Sequence, residues 1–323
     1  MYTIRRVFNP EIFQGKYRRN NYFEGWYYKI IDKPSKNIFA IIPGVAVSKQ
    51  KSHSFIQFVD AKKGFSEYIS FPKEAFKYSE NELDILLLDN HFDKSGIRLN
   101  LSSSNLTLIG ELEFTDVVPF PKKLLSPGIM GPFSFVPFME CHHGIINIHS
   151  GLKGWMNYNG THVDFTDGYG YIEKDWGKSF PHSWIWLQTN NFYRSDTSLM
   201  FSIASIPWFH REFDGLIAFL KINSDFLRFA TYTGAKVKKL KIVDKLLDIL
   251  IEDSKYFLRL EVTFSKGGIL KAPKKGVMEV DLTESITSKV EVELIEKPDR
   301  VVFRDTGENT GLELAGNYKK FLT

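Results

Sequence analysis

GIRLNLSSSNLTLIGELEF, residues 96–114, alternates apolar and polar side chains at period two on either side of a Ser-rich turn. Successive strand side chains point to opposite faces, so this pattern predicts a hairpin with one buried face. The same signal recurs outward from it. Residues 22–31 (YFEGWYYKII), 38–47 (IFAIIPGVAV), 53–60 (HSFIQFVD) and 65–71 (FSEYISF) are short, aromatic or β-branched, and punctuated by polar, Gly or Pro residues. Residues 143–173 continue the series, with Asn159 and Gly160 predicting a tight turn between WMNY and THVDF. Helical periodicity is weak, and 237–251 (VKKLKIVDKLLDILI) fits either a short amphipathic helix or a strand–turn–strand. The fold class expected is all-β and antiparallel.

A second series, SWIWLQTN, LMFSIASIPWF, DGLIAFLKI and DFLRFATYTG, begins at Ser183 and follows the order of the first four strands. Each series opens on a Trp-aromatic strand (Trp26, Trp184) and continues with an apolar strand broken by proline (Pro43, Pro207). Short strands resemble one another by chance, so duplication and coincidence both stay open. Duplication gives two similar β units, residues 1–178 and 179–323, joined near WGKSFPHS at 176–183. Eight-stranded barrels are the size that encloses one small apolar ligand.

Composition narrows the function classes. The 323 residues are 43% hydrophobic and 25% charged, as in a globular chain. With 42 basic against 38 acidic residues, the balance of +4 argues against nucleic acid as a partner. Cys141 is the single cysteine, which excludes an internal disulfide and any site needing several thiolates. MYTIRRVFNPEIF lacks the apolar core of a signal peptide, and no apolar run approaches the ~20 residues of a spanning helix. The expected location is cytoplasmic. Lys236, Lys238, Lys239, Lys241, Lys245, Lys266, Lys271, Lys274 and Lys275 make the second half locally basic. A solvated face explains them, and so does peripheral contact with an anionic membrane.

The chain lacks the GxxxxGK[ST], GxSxG and HExxH signatures. Glu140, Cys141, His142 and His143 alternate faces if extended, so no metal site is expected, and a lone cysteine is most simply a buried small hydrophobe. The richest segment is 165–190, FTDGYGYIEKDWGKSFPHSWIWLQTN. In a strand, Tyr171, Glu173 and Asp175 share one face, while Ile172, Lys174 and Trp176 share the other. A carboxyl group facing an apolar interior has its pKa raised and can serve as a general acid. The bland alternative makes Glu173 and Lys174 surface residues, with Asp175 capping the turn into Gly177. Glu24 is a second carboxylate in an aromatic strand, or a group that bonds exposed backbone at a strand end. His142 and His143 line a pocket or are hydrogen-bonded structural residues.

These residues carry a resemblance. FEGWYYKI at 23–30, MECHHG at 139–144, GYIEKDWGKSFPHSWIWLQTNNF at 170–192 and, more loosely, GLELAGNY at 311–318 resemble the tocopherol cyclase family, in that family's order. The resemblance implies a tandem lipocalin-like β architecture, with carotenoid hydratases and cofactor-free pericyclases as distant relatives by fold. It implies no cofactor, a lipophilic small-molecule substrate, and protonation of a prenyl double bond in a prenylated quinol followed by capture of the cation by phenolic oxygen. Glu173 is then the first candidate for proton donor and Asp175 the second, with Tyr171, Trp176 and Trp186 shaping or polarising the site. Trp184 in the same motif, and Glu24, Trp26, His142 and His143 in the others, are assigned to substrate binding. The rivals are a non-catalytic lipocalin-like carrier of an apolar ligand and a hydratase of an isoprenoid double bond. The oligomeric state is not legible in the sequence.

Overall fold

The computed structural model describes residues 2–49, 51–136, 139–208, 211–265 and 267–323, with backbone only for 2–4. Lys266 of the basic series and Phe209 of the second strand series therefore lie outside the described residues. A short helix α1 (Tyr2–Phe8) precedes β1 (Tyr22–Ile31), β2 (Ile38–Val47), β3 (His53–Asp60), β4 (Phe65–Pro72), β5 (Phe76–Tyr78), β6 (Asp84–Leu87), β7 (Asn90–Asp93), β8 (Gly96–Ser102), β9 (Thr107–Pro119), β10 (Cys141–Tyr158), β11 (Thr161–Asp164) and β12 (Tyr169–Gly177). There follow β13 (Ser183–Thr189), β14 (Asn191–Phe192), β15 (Thr197–Trp208), β16 (Arg211–Ile222), β17 (Asp225–Ala230), β18 (Lys236–Val243), β19 (Leu246–Glu252), β20 (Tyr256–Thr263), β21 (Gly268–Lys274), β22 (Val277–Glu296) and β23 (Arg300–Gly316). The chain is all-β, with two antiparallel lipocalin-like sheets. The ambiguous stretch 237–251 is a strand–turn–strand, β18 to β19, because its leucines and isoleucines alternate into a sheet core. Asn159 (φ 49°) and Gly160 (φ 82°) form the tight turn between β10 and β11.

Two compact units result: Met1–Phe180 with Ile269–Asp281, and Pro181–Gly268 with Leu282–Thr323. The first sheet runs β4-β3-β2-β1-β12-β10-β9-β8-β7-β6-β5, and the second β17-β16-β15-β13-β23-β22-β20-β19-β18. The two strand series of the sequence thus occupy equivalent places, β1–β4 in one sheet and β13, β15, β16, β17 in the other. Their tryptophans do not correspond. Trp26 points into its unit's core, whereas Trp184 alternates with Ile185 and Leu187, which are the core residues of its strand.

The first sheet curls on itself. Trp26 of β1 stacks on Phe76 of β5, Tyr28 packs on Phe92 and Phe114, and Phe39 of β2 meets Tyr158 of β10. Its inner face is therefore a packed aromatic core. Trp26 is fully buried in it, and Trp176 packs against the same cluster.

The second-half segment that completes the first unit is tied in by polar contacts. The Gln57 side chain bonds both the N–H and the C=O of Lys271, Ser179 Oγ accepts from Lys275 N–H, and Gly276 N–H donates to Lys178 O.

A candidate acid site on the outer face of the first sheet

β12 lies between β1 and β10, so each of its residues has a neighbour on both sides. Opposite Asp175 stand Gly25 and His143, opposite Glu173 stand Tyr27 and Ile145, and opposite Tyr171 stands Lys29. These residues share the outer face. Opposite Lys174 and Trp176 are Trp26, Gly144, Glu24 and His142, on the inner face. The sheet thus splits the candidate residues into two groups.

The outer group forms a connected line. His143 Nδ1 lies 2.9 Å from Asp175 Oδ1, His143 Nε2 lies 3.6 Å from Glu173 Oε2, and Tyr171 donates its hydroxyl to Glu173 Oε2 at 2.6 Å. Exposure falls along the line: the side chain of Asp175 is 24% exposed, that of His143 14%, that of Glu173 6%, and Tyr171 is fully buried. Glu173 and Lys174 are therefore not surface residues. Burial alone would push the His143 imidazole down, but the carboxylates of Asp175 and Glu173 on its two sides override this and raise it to about 9. At neutral pH the ring is an imidazolium. Burial and the Glu173 charge push the Tyr171 phenol well above its usual value, so it stays a donor. The line ends at irregular pairing in β10 between Ile145 and Ser150, where Asn147 donates to Ser150 Oγ and accepts from His149 N–H.

His143, Glu173 and Asp175 offer ligand atoms within 4.8 Å of one another, a spacing a cation could use. A cation bound there would have to displace a proton from His143, whose pKa the two carboxylates raise to about 9. Cys141 is no nucleophile candidate, because burial and the nearby Asp175 and Glu140 charges push its thiol well up.

The inner group forms a different structure. Lys174 and Glu24, both fully buried, make an ion pair. Lys174 Nζ also donates to Pro10 O (2.8 Å) and Ile12 O (2.6 Å), and lies over the rings of Trp26 (4.5 Å) and Trp176 (4.7 Å). Glu24 accepts from Gln14 N–H and from the Tyr22 hydroxyl, and Trp26 Nε1 donates to Glu11 O. Lys174, Glu24 and Trp26 of this cluster hold residues 10–14 against the barrel. Glu24 does bond backbone, though that of the N-terminal segment rather than of a strand end. His142 stacks on Trp176, and burial first, then Arg18 and Lys174, lower it to about 4.

Trp184 and Trp186 belong to the second unit, on the face of β13 opposite its core. Trp184 Nε1 donates to Glu313 at 2.6 Å, and the Trp186 ring lies over Gly311, where a Cβ would come within 2.8 Å of it.

Sequence reasoning missed three residues of the first unit. Lys174 is an internal cation, legible only through its alternation with Ile172 and Trp176. Gly44 makes room for the Phe55 ring across the outer face, since a Cβ there would collide with Phe55 Cζ and stand 2.7 Å from Glu24 O. Gly25, beside Asp175, is part-exposed, and a Cβ there would meet only ordinary contacts at 3.5–3.8 Å.

The chain is similar to known proteins. Over 72 residues the chain is 39% identical to the chloroplastic tocopherol cyclase of Zea mays, a stretch covering 22% of this chain and 14% of the maize protein's length. The crystal structure of CghA shares the fold with a TM-score of 0.58 at 8% identity, covering 91% of this chain and 88% of that one. Kievitone hydratase from Nectria haematococca gives 0.52 at 11% identity, covering 95% and 94%. The family model described as tocopherol cyclase-like matches residues 112–316, which include β10, β12 and the whole acid line apart from its β1 neighbours. That match takes in more than half of the chain, which belongs to the tocopherol cyclase-like family.

Proposed function

We propose that the protein is a cofactor-independent acid catalyst that cyclises a prenylated quinol or a related isoprenoid. The observation that carries the reading is the line Asp175–His143–Glu173–Tyr171, in which an imidazolium is hydrogen-bonded to Asp175 and lies 3.6 Å from Glu173, on a sheet face whose exposure falls from Asp175 to the buried Tyr171. A proton passes from this line to the less substituted carbon of a prenyl double bond. The π pair forms the new C–H bond and leaves a tertiary cation. A lone pair of the phenolic oxygen closes the ring, and the phenolic proton returns to the line. Nothing is consumed, so the reaction is an isomerisation.

The exposure gradient supports an order of roles. Asp175, with His143 behind it, meets the substrate, and Glu173 with Tyr171 holds and resupplies the proton from the buried end. This reverses the ranking of the two carboxylates expected from the sequence. Tyr27 of β1 and Phe55 of β3, on the same face of the sheet, supply the aromatic surfaces that a carbocation needs where water would quench it. Location in the cytoplasm, with the lipophilic substrate drawn from a membrane, belongs to the same reading.

The test is incubation with a panel of prenylated quinols and isoprenoids, read by product mass for wild type, Asp175→Asn and Glu173→Gln. Cyclised product of unchanged mass, lost in both variants, is expected. A product heavier by one water that carries solvent oxygen label identifies a hydratase instead. Tight binding without turnover identifies a carrier.

A further inference from the structure

Leu124 and Leu125 are the two most exposed aliphatic side chains among the described residues, at 79% and 75%. They are consecutive, and they form the tip of a tight turn. Lys123 N–H donates to Ser126 O and Ser126 N–H to Lys123 O, at 2.9 and 3.0 Å, which closes the turn around the two leucines. Turn tips favour Gly, Asn, Asp and Pro for backbone reasons and carry polar side chains for solubility. Leucines there gain nothing from the fold.

The base of the turn is cationic and fixed. Lys122 Nζ donates to Phe8 O (2.9 Å) at the end of α1 and pairs with Glu11 (3.1 Å). Lys94 pairs with the same Glu11 (3.2 Å). Lys94 and Lys122 thus share one carboxylate, and Lys123 next in the chain adds a further positive charge at the base of the turn. Phe8, whose carbonyl Lys122 holds, packs its half-buried ring on Phe135, which is 46% exposed. A rigid apolar tip, an exposed aromatic ring and excess lysine charge together match the boundary of an anionic bilayer. There aliphatic groups enter the acyl region and ammonium groups stay at the headgroups.

We propose that the Lys122–Ser126 turn docks the protein on an anionic membrane surface, with Leu124 and Leu125 inserted. Of the lysines of the second half, Lys238, Lys239 and Lys271 are already paired with carboxylates.

The experiment is flotation with phosphatidylcholine vesicles with and without phosphatidylglycerol, at low and high salt. Wild type is expected to float with the anionic vesicles at low salt, and Lys123→Glu to weaken this several-fold. Leu124→Ser/Leu125→Ser should lose it by about tenfold or more while unfolding at the same temperature, because neither side chain contributes to the core. Absence of wild-type flotation overturns the proposal, and so does full flotation of the double leucine variant, which would assign binding to another surface. A wild-type dimer in light scattering that the leucine variant dissociates also overturns it, by making the turn a contact between copies. None of these readouts depends on catalytic activity.

Discussion

His142 and His143 are adjacent in the chain, yet the sheet sends them to opposite faces and drives them in opposite directions. His143 stands between two carboxylates and rises from 6.5 to about 9, while His142 is buried against Trp176 and, with Arg18 and Lys174 adding to the effect of burial, falls to about 4. At about 1.36 kcal/mol per pH unit, each displacement is worth about 3 kcal/mol of differential proton binding between fold and unfolded chain. The signs differ. The His143 contribution is fully present below pH 6.5 and is lost as pH rises through 9. The His142 cost is absent above 6.5 and grows as pH falls towards 4. Two measurements isolate the first effect. The His143 ring proton resonance, assigned by its loss in His143→Gln, should titrate near 9. In urea unfolding, the stability of wild type relative to His143→Gln should shrink by up to about 3 kcal/mol between pH 6 and pH 10. A ring that titrates at or below 6.5, or a stability difference that does not vary with pH, would refute the reasoning that the carboxylates hold this proton. It would also remove the proton store from the proposed mechanism.

Glu173→Gln keeps an acceptor for Tyr171 but removes one of the two charges, so the His143 resonance should titrate lower by about 1 unit. Lys174→Met leaves the Glu24 carboxylate buried and uncompensated, and should cost about 3–5 kcal/mol by denaturant unfolding. Adding Glu24→Gln should restore part of that loss. Gly44→Ala should destabilise by about 1–3 kcal/mol, because Phe55 and the Glu24 carbonyl leave no room for a methyl. Gly25→Ala should change stability by no more than about 0.5 kcal/mol but lower turnover on the quinol panel, since its methyl would stand beside Asp175. In the second unit, Trp184→Phe removes the bond to Glu313 and should cost about 1–2 kcal/mol in thermal unfolding.

The strand content was legible because alternation, turn chemistry and strand length agree along most of the chain. The 96–114 hairpin, the turn at Asn159 and Gly160 and the shared face of Tyr171, Glu173 and Asp175 all depend on local periodicity. What was not legible depends on pairing between distant strands. His143 meets Asp175 only because β10 lies next to β12 in one register, and no local pattern encodes that register. The same limit hid the partition of His142 from His143 and the role of Lys174, whose partners come from Glu24 and from carbonyls at residues 10 and 12. The pseudo-repeat illustrates both sides. Strand order repeats, but pairing Trp26 with Trp184 sets an inward ring against an outward one, since a one-residue slip in a strand reverses every face.

The hairpin of residues 269–281 has a consequence for how the protein is made. Gln57, Lys178 and Ser179 spend their hydrogen bonds on that hairpin, so the first unit cannot finish assembling when residue 180 leaves the ribosome. Synthesis must run on through Pro181–Gly268, the larger part of the second unit, before the missing piece arrives. A fragment cut at the apparent junction would lack the partner of a buried amide side chain. The two halves are consecutive in sequence, yet the first is completed only by a segment made after most of the second.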